Sequence, residues 1–554
     1  MQGLMQNVDL TLQMVLERAA TLYGTKTVAT KTADGVRRHT YAEVGDRVTR
    51  LAAALTKMGV KPGDRVGTFA WNSDRHLELY LAVPCMGAVL HTLNPRLHPD
   101  QVAWIANHAE DQAVFVDTSL APAWEKVGGL GTVREVVMMD DVGQGVPEGT
   151  HDYEALLDGG DAGFAWPRLS ENDAAAMCYT SGTTGDPKGV VYTHRSSVLH
   201  AMATLFADFL GLSERDVLLP IVPQFHANAW GTPYGALMTG SGLAMPGRFM
   251  ADPPSIASLV SGEGVTISAA VPTVWFGVLQ AIRAGQVDPA SLRSLKRIVC
   301  GGSAVPEALM RGFDDLGITI VHAWGMTETS PLGTVANVKS TVAPDQVLRT
   351  RLTQGVTAPS LRVRLETSEG RIAPWDGETM GELQITGPWI ADAYYDPSAE
   401  DGRGGLDRFT DDDNGTRWLK TGDVAVIDAE GYVQLVDRTK DLVKSGGEWI
   451  STVELENLLI AHDQVAEAAV IAVRHPKWDE RPLACVVRAR PAGQGEDADE
   501  SVTADELLAY LGEHVASWQV PDDIVFLDEV PKTSVGKFDK KVLRDRFANY
   551  ELPT

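Results

Sequence analysis

Cysteine is scarce in this chain: four residues in 554, Cys85, Cys178, Cys300 and Cys485, stand far apart in apolar surroundings. With no C-x-x-C pair and no close histidine partner, a zinc ribbon, a redox dithiol and a disulfide scaffold are excluded. Four buried, reduced, inert thiols are expected. Basic residues are also few, 48 Lys and Arg against 74 Asp and Glu, for a formal net charge of -26 at pH 7. That field repels phosphate backbones and anionic lipid, so neither a nucleic acid nor an anionic membrane is expected as main partner, while a local basic cleft for a small anion is compatible with it. Long hydrophobic runs are missing too. Without a stretch of about 18 apolar residues, no transmembrane segment is expected. Met1 to Leu10 mixes Gln, Asn and Asp with apolar residues, unlike the basic start and apolar core of a secretory signal. Cytoplasm is the default expectation.

What the chain does have is length and 44% apolar content, enough for two to four structural units. From Thr40, Val44, Val48, Leu51 and Leu55 recur on one helical face, closed by Gly59 and Pro62-Gly63. Strand Val66–Trp71, helix His76–Val89 and strand Leu90–Leu93 follow. The alternation continues through strands Ala113–Val116, Val136–Met139, Ala174–Cys178, Val217–Val222, Ala244–Pro246, Val265–Ala270, Arg297–Cys300 and Thr319–His322, predicting parallel sheets covered on both faces. After about Pro331 the strands shorten, as in Arg362–Glu366 and Gly381–Thr386, between Gly, Pro and Asp turns, which suggests a small antiparallel β unit. Asp396 to Thr416 and Gly493 to Glu500 read as acidic surface loops. A last α+β unit begins near the charged run Asp437 to Asp441, with helices at Ser451–Ile460, Ala504–Glu513 and near Lys540–Phe547 and strands at Val465–Val473 and Leu483–Arg490.

Between strand Ala174–Cys178 and a helix expected at Ser196–Leu210 lies Thr180-Ser181-Gly182-Thr183-Thr184-Gly185-Asp186-Pro187-Lys188-Gly189. Its glycines let the backbone approach an oxyanion, its hydroxyls donate, and Lys188 adds a mobile charge, so it reads as a phosphate-holding loop. The P-loop spacing G-x-x-x-x-G-K-[ST] is not met. A solvated turn is the bland alternative. Other short motifs are ambiguous alone: Thr327-Glu328 is equally a helix cap or turn, Asp423 with Arg438 a surface ion pair, Trp230 and His226 core residues, and Gly301-Gly302 a tight turn. His194 and His200 lack paired acidic ligands and their spacing from His226 does not suit a metal site.

Taken in order, these motifs resemble the adenylate-forming superfamily of acyl-CoA synthetases, luciferases and peptide-synthetase adenylation domains, from about residue 10 to 550. The stretches Val222-Pro223-Gln224-Phe225-His226-Ala227-Asn228-Ala229-Trp230 and Lys444-Ser445-Gly446-Gly447-Glu448-Trp449-Ile450-Ser451 look most like those of bacterial medium- and long-chain fatty acyl-CoA synthetases. The resemblance implies an α/β fold, with a large N-terminal domain (1–436) of two helix-flanked β-sheets plus a small β-barrel-like subdomain, a hinge (437–441) at Lys440, and a mobile α+β C-terminal domain (442–554). It implies ATP, Mg2+ and CoA as cofactor and co-substrates, a carboxylic acid as substrate, and a homodimer.

By the same resemblance, Thr180, Ser181, Gly182, Thr183, Thr184 and Lys188 hold the terminal phosphates. Gly301, Gly302 and Ser303, with Ala323, Trp324, Gly325 and Met326, bind adenine, and Thr327 contacts the α-phosphate. Glu328 with Thr184 holds Mg2+, a hard carboxylate being its proper ligand. Asp423 binds ribose, Arg438 is a second ribose or phosphate contact, and Lys537, in Pro531-Lys532-Thr533-Ser534-Val535-Gly536-Lys537, bridges the carboxylate and α-phosphate during adenylation. Lys444, Gly446, Gly447, Glu448 and Trp449 approach the pantetheine of CoA after the last domain swings. His226 stands near the substrate carboxylate or phosphate, at a site where amino-acid-activating relatives carry an aspartate, which disfavours an amino-acid substrate. Trp230 resembles the gate of a fatty-acid tunnel. A short or sulfur-bearing acid such as methylthiopropionate is the alternative substrate, and a catalytically silent binding protein the alternative from another class.

Overall fold

The protein is described from a computed structural model that covers residues 1, 3–143, 145–148, 150–180, 186–445, 448–489, 502–533 and 538–552. Two nine-stranded sheets dominate it. In the first, strands Glu135–Met139, Asp111–Asp117, Arg65–Phe69, Val89–Thr92 and Ala174–Tyr179 run parallel in that order. Gly189–Thr193 then pairs antiparallel with Ala174–Tyr179, and the short strand Tyr394–Tyr395 adds to it with Tyr395 opposite Gly189. The second sheet has a parallel centre of Thr319–Gly325, Arg297–Gly301, Ile267–Ala270, Val217–Pro220 and Gly242–Met245. Its strands are buried on both faces, which is why they read as continuous apolar runs.

Local chemistry accounts for the helix starts. Thr40 forms a reciprocal capping box with Glu43, opening helix Tyr41–Lys57, whose Val44, Val48, Leu51 and Leu55 are all buried. Helix His194–Ala203 starts earlier than the expected Ser196, because Thr193 and Ser196 cap it reciprocally. It also ends sooner: the Leu212 N–H returns to the Thr204 carbonyl, folding the next turns back on the helix end.

A five-stranded antiparallel sheet follows, Arg362–Glu366, Gly381–Thr386, Arg417–Ile427 and Phe409–Asp411 with Val433–Arg438 alongside. It is an open sheet rather than a barrel. The expected surface loop at 396–416 contributes structure: Arg403–Gly404 pairs with Tyr394–Tyr395, and Phe409–Asp411 is an edge strand. The last unit has strands Val443–Ser445, Glu448–Ile450, Val465–His475, Asp479–Arg488 and Asp523–Phe526 with helices Thr452–Ala461, Ala504–Gly512 and Lys540–Arg546. Asp479–Arg488 begins before the expected Leu483 because its hairpin with Val465–His475 pairs out to His475 and Asp479. The acidic loop expected at 493–500 lies outside the described residues. Helix Leu12–Leu22 and hairpin Thr27–Thr32/Gly35–Thr40 complete the N-terminal edge without having been anticipated.

Candidate active site

The glycine- and hydroxyl-rich loop joins two antiparallel strands, not a strand and a helix. Tyr179 is paired with Gly189, and the Thr180 N–H donates to the Lys188 carbonyl at 2.9 Å. Phosphate-loop positions Ser181, Gly182, Thr183 and Thr184 lie outside the described residues. Thr180 and Lys188 mark the two ends of the loop, and the Lys188 ammonium lies 4.9 Å from the centre of the Tyr394 ring.

Strands Arg297–Gly301 and Thr319–Gly325 pair in parallel with Gly301 opposite Ala323. A Cβ at Gly301 would stand 2.4 Å from the Ala323 carbonyl oxygen and 3.5 Å from the tip of the Trp230 indole. Only glycine permits this close approach of the two strand ends. Gly302 and the exposed Ser303 follow at the strand end.

Beyond Gly325 and Met326, Thr327 and Glu328 occupy a short 3-10 turn, both nearly buried. Tyr192 donates its hydroxyl to the Thr327 carbonyl at 2.8 Å, and the Ala391 N–H donates to the Glu328 carbonyl at 2.8 Å. The Glu328 carboxylate receives the Tyr394 hydroxyl on Oε1 at 2.5 Å. Burial, and next the Glu328 charge, push the Tyr394 phenol well above its ordinary range, so it remains a donor.

Trp324 Nε1 donates to Asp423 Oδ2 at 2.9 Å, while Arg438 Nε stands 3.3 Å from Asp423 Oδ1. Asp423 and Arg438 are opposite one another across strands Arg417–Ile427 and Val433–Arg438. Each carboxylate oxygen has a second lone pair, so Asp423 can still accept hydroxyl protons. These groups suit a nucleotide: a strand end kept bare by glycine, a buried hard carboxylate, and a second carboxylate able to accept the hydroxyls of a diol.

His226 precedes a left-handed turn in which Asn228, Ala229 and Trp230 all have positive φ. Its carbonyl accepts the Ala229 N–H at 3.2 Å, and Trp230 is 7% exposed. His194 and His200 are packing residues. His194 Nδ1 accepts the Leu12 N–H, His200 Nε2 accepts the Leu332 N–H, and burial pushes their values down to about 4 and about 3. The four cysteines are buried and free, and burial lifts Cys178 to about 11 and Cys485 to about 12.

The C-terminal positions are less converged. Gly446, Gly447 and Lys537 lie outside the described residues, as does the side chain of Glu448. Lys444 faces Trp449 across a hairpin, its ammonium 5.9 Å from the ring, and Trp449 is exposed whereas Trp230 is buried in the N-terminal unit. Lys440 follows Arg438 on the exposed link between the units. Sequence reasoning missed Tyr394 and Tyr192. The only local signal for Tyr394 is the aromatic pair Tyr394-Tyr395 ahead of a polar stretch.

The sequence matches the AMP-binding enzyme family over residues 16–395 and the AMP-binding enzyme C-terminal domain over 454–537. It is 46% identical to a long-chain-fatty-acid–CoA ligase of Thermus thermophilus (99% of this chain, 97% of that one) and 42% identical to a medium-chain-fatty-acid–CoA ligase of Ectopseudomonas oleovorans (100% and 98%). A 3-methylmercaptopropionyl-CoA ligase of Ruegeria pomeroyi is also 42% identical (99% of each). Among solved structures, ATP-bound MatB from Rhodopseudomonas palustris superposes with a TM-score of 0.81 at 25% identity, covering 98% of this chain and 99% of that one.

Proposed function

The chain belongs to the AMP-binding enzyme family, and within it we propose an AMP-forming acid–thiol ligase, an acyl-CoA synthetase that activates a medium- or long-chain fatty acid. The carboxylate oxygen attacks the α-phosphorus of ATP and pyrophosphate leaves. The CoA thiolate then attacks the acyl carbonyl and AMP leaves. What supports the reading is the meeting of three separate stretches, Gly301 beside Ala323, Trp324 hydrogen-bonded to Asp423, and Glu328 in the turn that follows, in a chain aligned end to end with CoA ligases.

Residue roles are carried over from the family resemblance and agree with the chemistry of each group. Gly301 and Gly302 admit adenine, and Asp423, held by Trp324 and Arg438, accepts the ribose hydroxyls. Thr327 contacts the α-phosphate, and the loop from Thr180 to Lys188 embraces the departing pyrophosphate. Glu328 and Thr184 would hold Mg2+, which supplies neutralisation of charge on the phosphate oxygens. Lys537 steers the carboxylate and α-phosphate together, a role suited to a cation placed where negative charge concentrates. His226 faces the same carboxylate, and Trp230, whose indole tip lies beside Gly301, gates the acyl site. The last domain, 442–554, turns about Lys440 within the hinge 437–441, so that Lys444, Gly446, Gly447, Glu448 and Trp449 serve CoA in the second step. A homodimer in the cytoplasm completes the proposal, supported by the family resemblance and, for location, by the lack of any helix long and apolar enough to cross a membrane among the described residues.

The methylmercaptopropionate ligase, as similar as the medium-chain enzyme, favours a second reading with a short sulfur-bearing acid. Acid-dependent ATP–pyrophosphate exchange across a chain-length panel tests both. A broad optimum at medium or long chains is expected. A sharp optimum at three or four carbons would support the second reading instead, and the lack of exchange with every acid in the panel would sink both.

A further inference from the structure

Tyr394 takes part in none of the motifs above, yet it stands where two of them meet. It reaches the cleft by sheet pairing: Tyr395 is opposite Gly189, next to Lys188, so strand Tyr394–Tyr395 lies beside the base of the phosphate loop. Its hydroxyl donates to Glu328 Oε1 at 2.5 Å, and its ring face carries the Lys188 ammonium 4.9 Å from the centroid. The side chain is only 4% exposed. It packs against Phe409 with ring centroids 5.9 Å apart. Behind it, Gly405 has φ +59, and a Cβ there would sit 2.5 Å from Tyr394 Cδ2, so the neighbouring turn is shaped around this ring. The backbone leading to it is tied to the same turn as Glu328: Ala391 N–H to the Glu328 carbonyl at 2.8 Å, and Ser330 Oγ to the Trp389 carbonyl at 2.7 Å.

We infer that Tyr394 is a positioning residue for adenylation, one that sets the Glu328 carboxylate and the Lys188 ammonium relative to each other. A carboxylate on a free side chain rotates, and either oxygen can meet a cation. With Oε1 held by the phenol hydroxyl, Glu328 is left Oε2 as a single, oriented ligand. The electron-rich ring face holds Lys188 beside the phosphate loop through a cation–π contact, close to the carboxylate without pairing with it. One side chain thus keeps the two opposite charges of the phosphate site apart and aimed at the same substrate. This inference rests on the ligase reading and on Glu328 as the magnesium ligand.

The test uses the full-length enzyme with Mn2+ as probe and α,β-methylene-ATP as a non-reacting nucleotide, followed by electron paramagnetic resonance. Tyr394→Phe keeps the ring and removes only the hydroxyl. It is expected to weaken Mn2+ binding in the nucleotide complex about ten-fold, the loss of one hydrogen bond to a charged group. Nucleotide affinity without metal should stay unchanged, and half-saturating Mg2+ for ATP–pyrophosphate exchange should rise in step. In a Glu328→Gln background the same substitution should add nothing. Unchanged Mn2+ affinity in Tyr394→Phe, or an equal further loss in the Glu328→Gln background, overturns the proposal. Tyr394→Leu, which also removes the ring face, should additionally raise KM for ATP; a KM equal to that of Tyr394→Phe overturns the Lys188 half. Wild-type enzyme lacking acid-dependent exchange would instead refute the ligase reading, a result separable from the metal titration.

Discussion

Asp437 and Thr452 are joined across the link between the two units: Asp437 Oδ2 accepts the Thr452 N–H at 2.7 Å and also the Thr452 hydroxyl. Lys540 donates to that hydroxyl at 2.5 Å and pairs with Glu456 at 2.7 Å, so one threonine connects the link to a buried ion pair of the last domain. Asp437 precedes Lys440 and Thr452 follows it. A rotation at Lys440 would therefore make or break this contact, and it should favour one orientation over the other.

Thr452→Val retains the shape and removes the hydroxyl. It is expected to change the ratio of adenylation rate to thioester-formation rate by about three-fold or more, the worth of roughly one buried hydrogen bond. The two half-reactions are measured separately, by pyrophosphate exchange and by CoA-dependent consumption of supplied acyl-adenylate. An equal change in both would mean that the contact only holds the last domain together.

Lys537 is proposed to act in the first half-reaction alone. Lys537→Ala should lower adenylation by about a hundred-fold or more, as removal of a group aimed at transition-state charge does. Thioester formation from supplied acyl-adenylate should be unchanged. Equal loss in both steps contradicts a domain that carries Lys537 into the site and out again.

The Trp230 indole tip lies 3.5 Å from where a Cβ on Gly301 would stand, and its proposed role as a gate makes a prediction of its own. Trp230→Ala should alter the relative kcat/KM of medium and long acids by about ten-fold or more while KM for ATP changes little. Because truncating a buried tryptophan costs about 3–5 kcal/mol of stability, Trp230→Phe provides the milder comparison and should shift the same profile in the same direction. An unchanged acid profile in both variants removes the gate.

The candidate site was legible only through short motifs taken together in their order along the chain. The glycines at 301 and 302 and the Thr327-Glu328 pair read alone as turns and were singled out by the family resemblance, whereas the helix Tyr41–Lys57 is written in its apolar period and its Thr40–Glu43 cap. Tyr394 was not legible, since a two-residue strand has no period of its own and owes its place to Gly189 and Gly404 as pairing partners. The strand Gly189–Thr193 was hidden for a related reason: it runs directly into Thr193, the cap of the next helix, so strand and helix read as one segment. Trp324 donating to Asp423 joins two motifs that were read separately, a contact that only the packing of the small sheet against the larger one creates.

The N-terminal edge carries a pH signature distinct from the active site. Arg37 and His39 are two apart on strand Gly35–Thr40 and so project to one face, toward the fully buried Asp74. Arg37 binds both Asp74 oxygens at 2.7 and 2.6 Å, and His39 Nε2 lies 3.3 Å from Oδ2. Burial favours the neutral acid, yet hydrogen bonds from Arg37 and His39 hold Asp74 far below the usual carboxylate range. The hydrogen bond to Asp74 in turn raises His39 above its ordinary value, against a smaller opposing effect of burial. A raised folded-state value means that the imidazolium binds its proton more tightly in the folded protein. Its stabilisation is complete below the unfolded value of about 6.5 and is lost as pH rises through the folded one. The melting temperature of the wild type should therefore fall more between pH 6 and pH 8 than that of His39→Gln, which keeps a donor and does not titrate. Scanning calorimetry at matched ionic strength makes the comparison, and parallel curves for the two proteins would show that His39 binds no extra proton on folding.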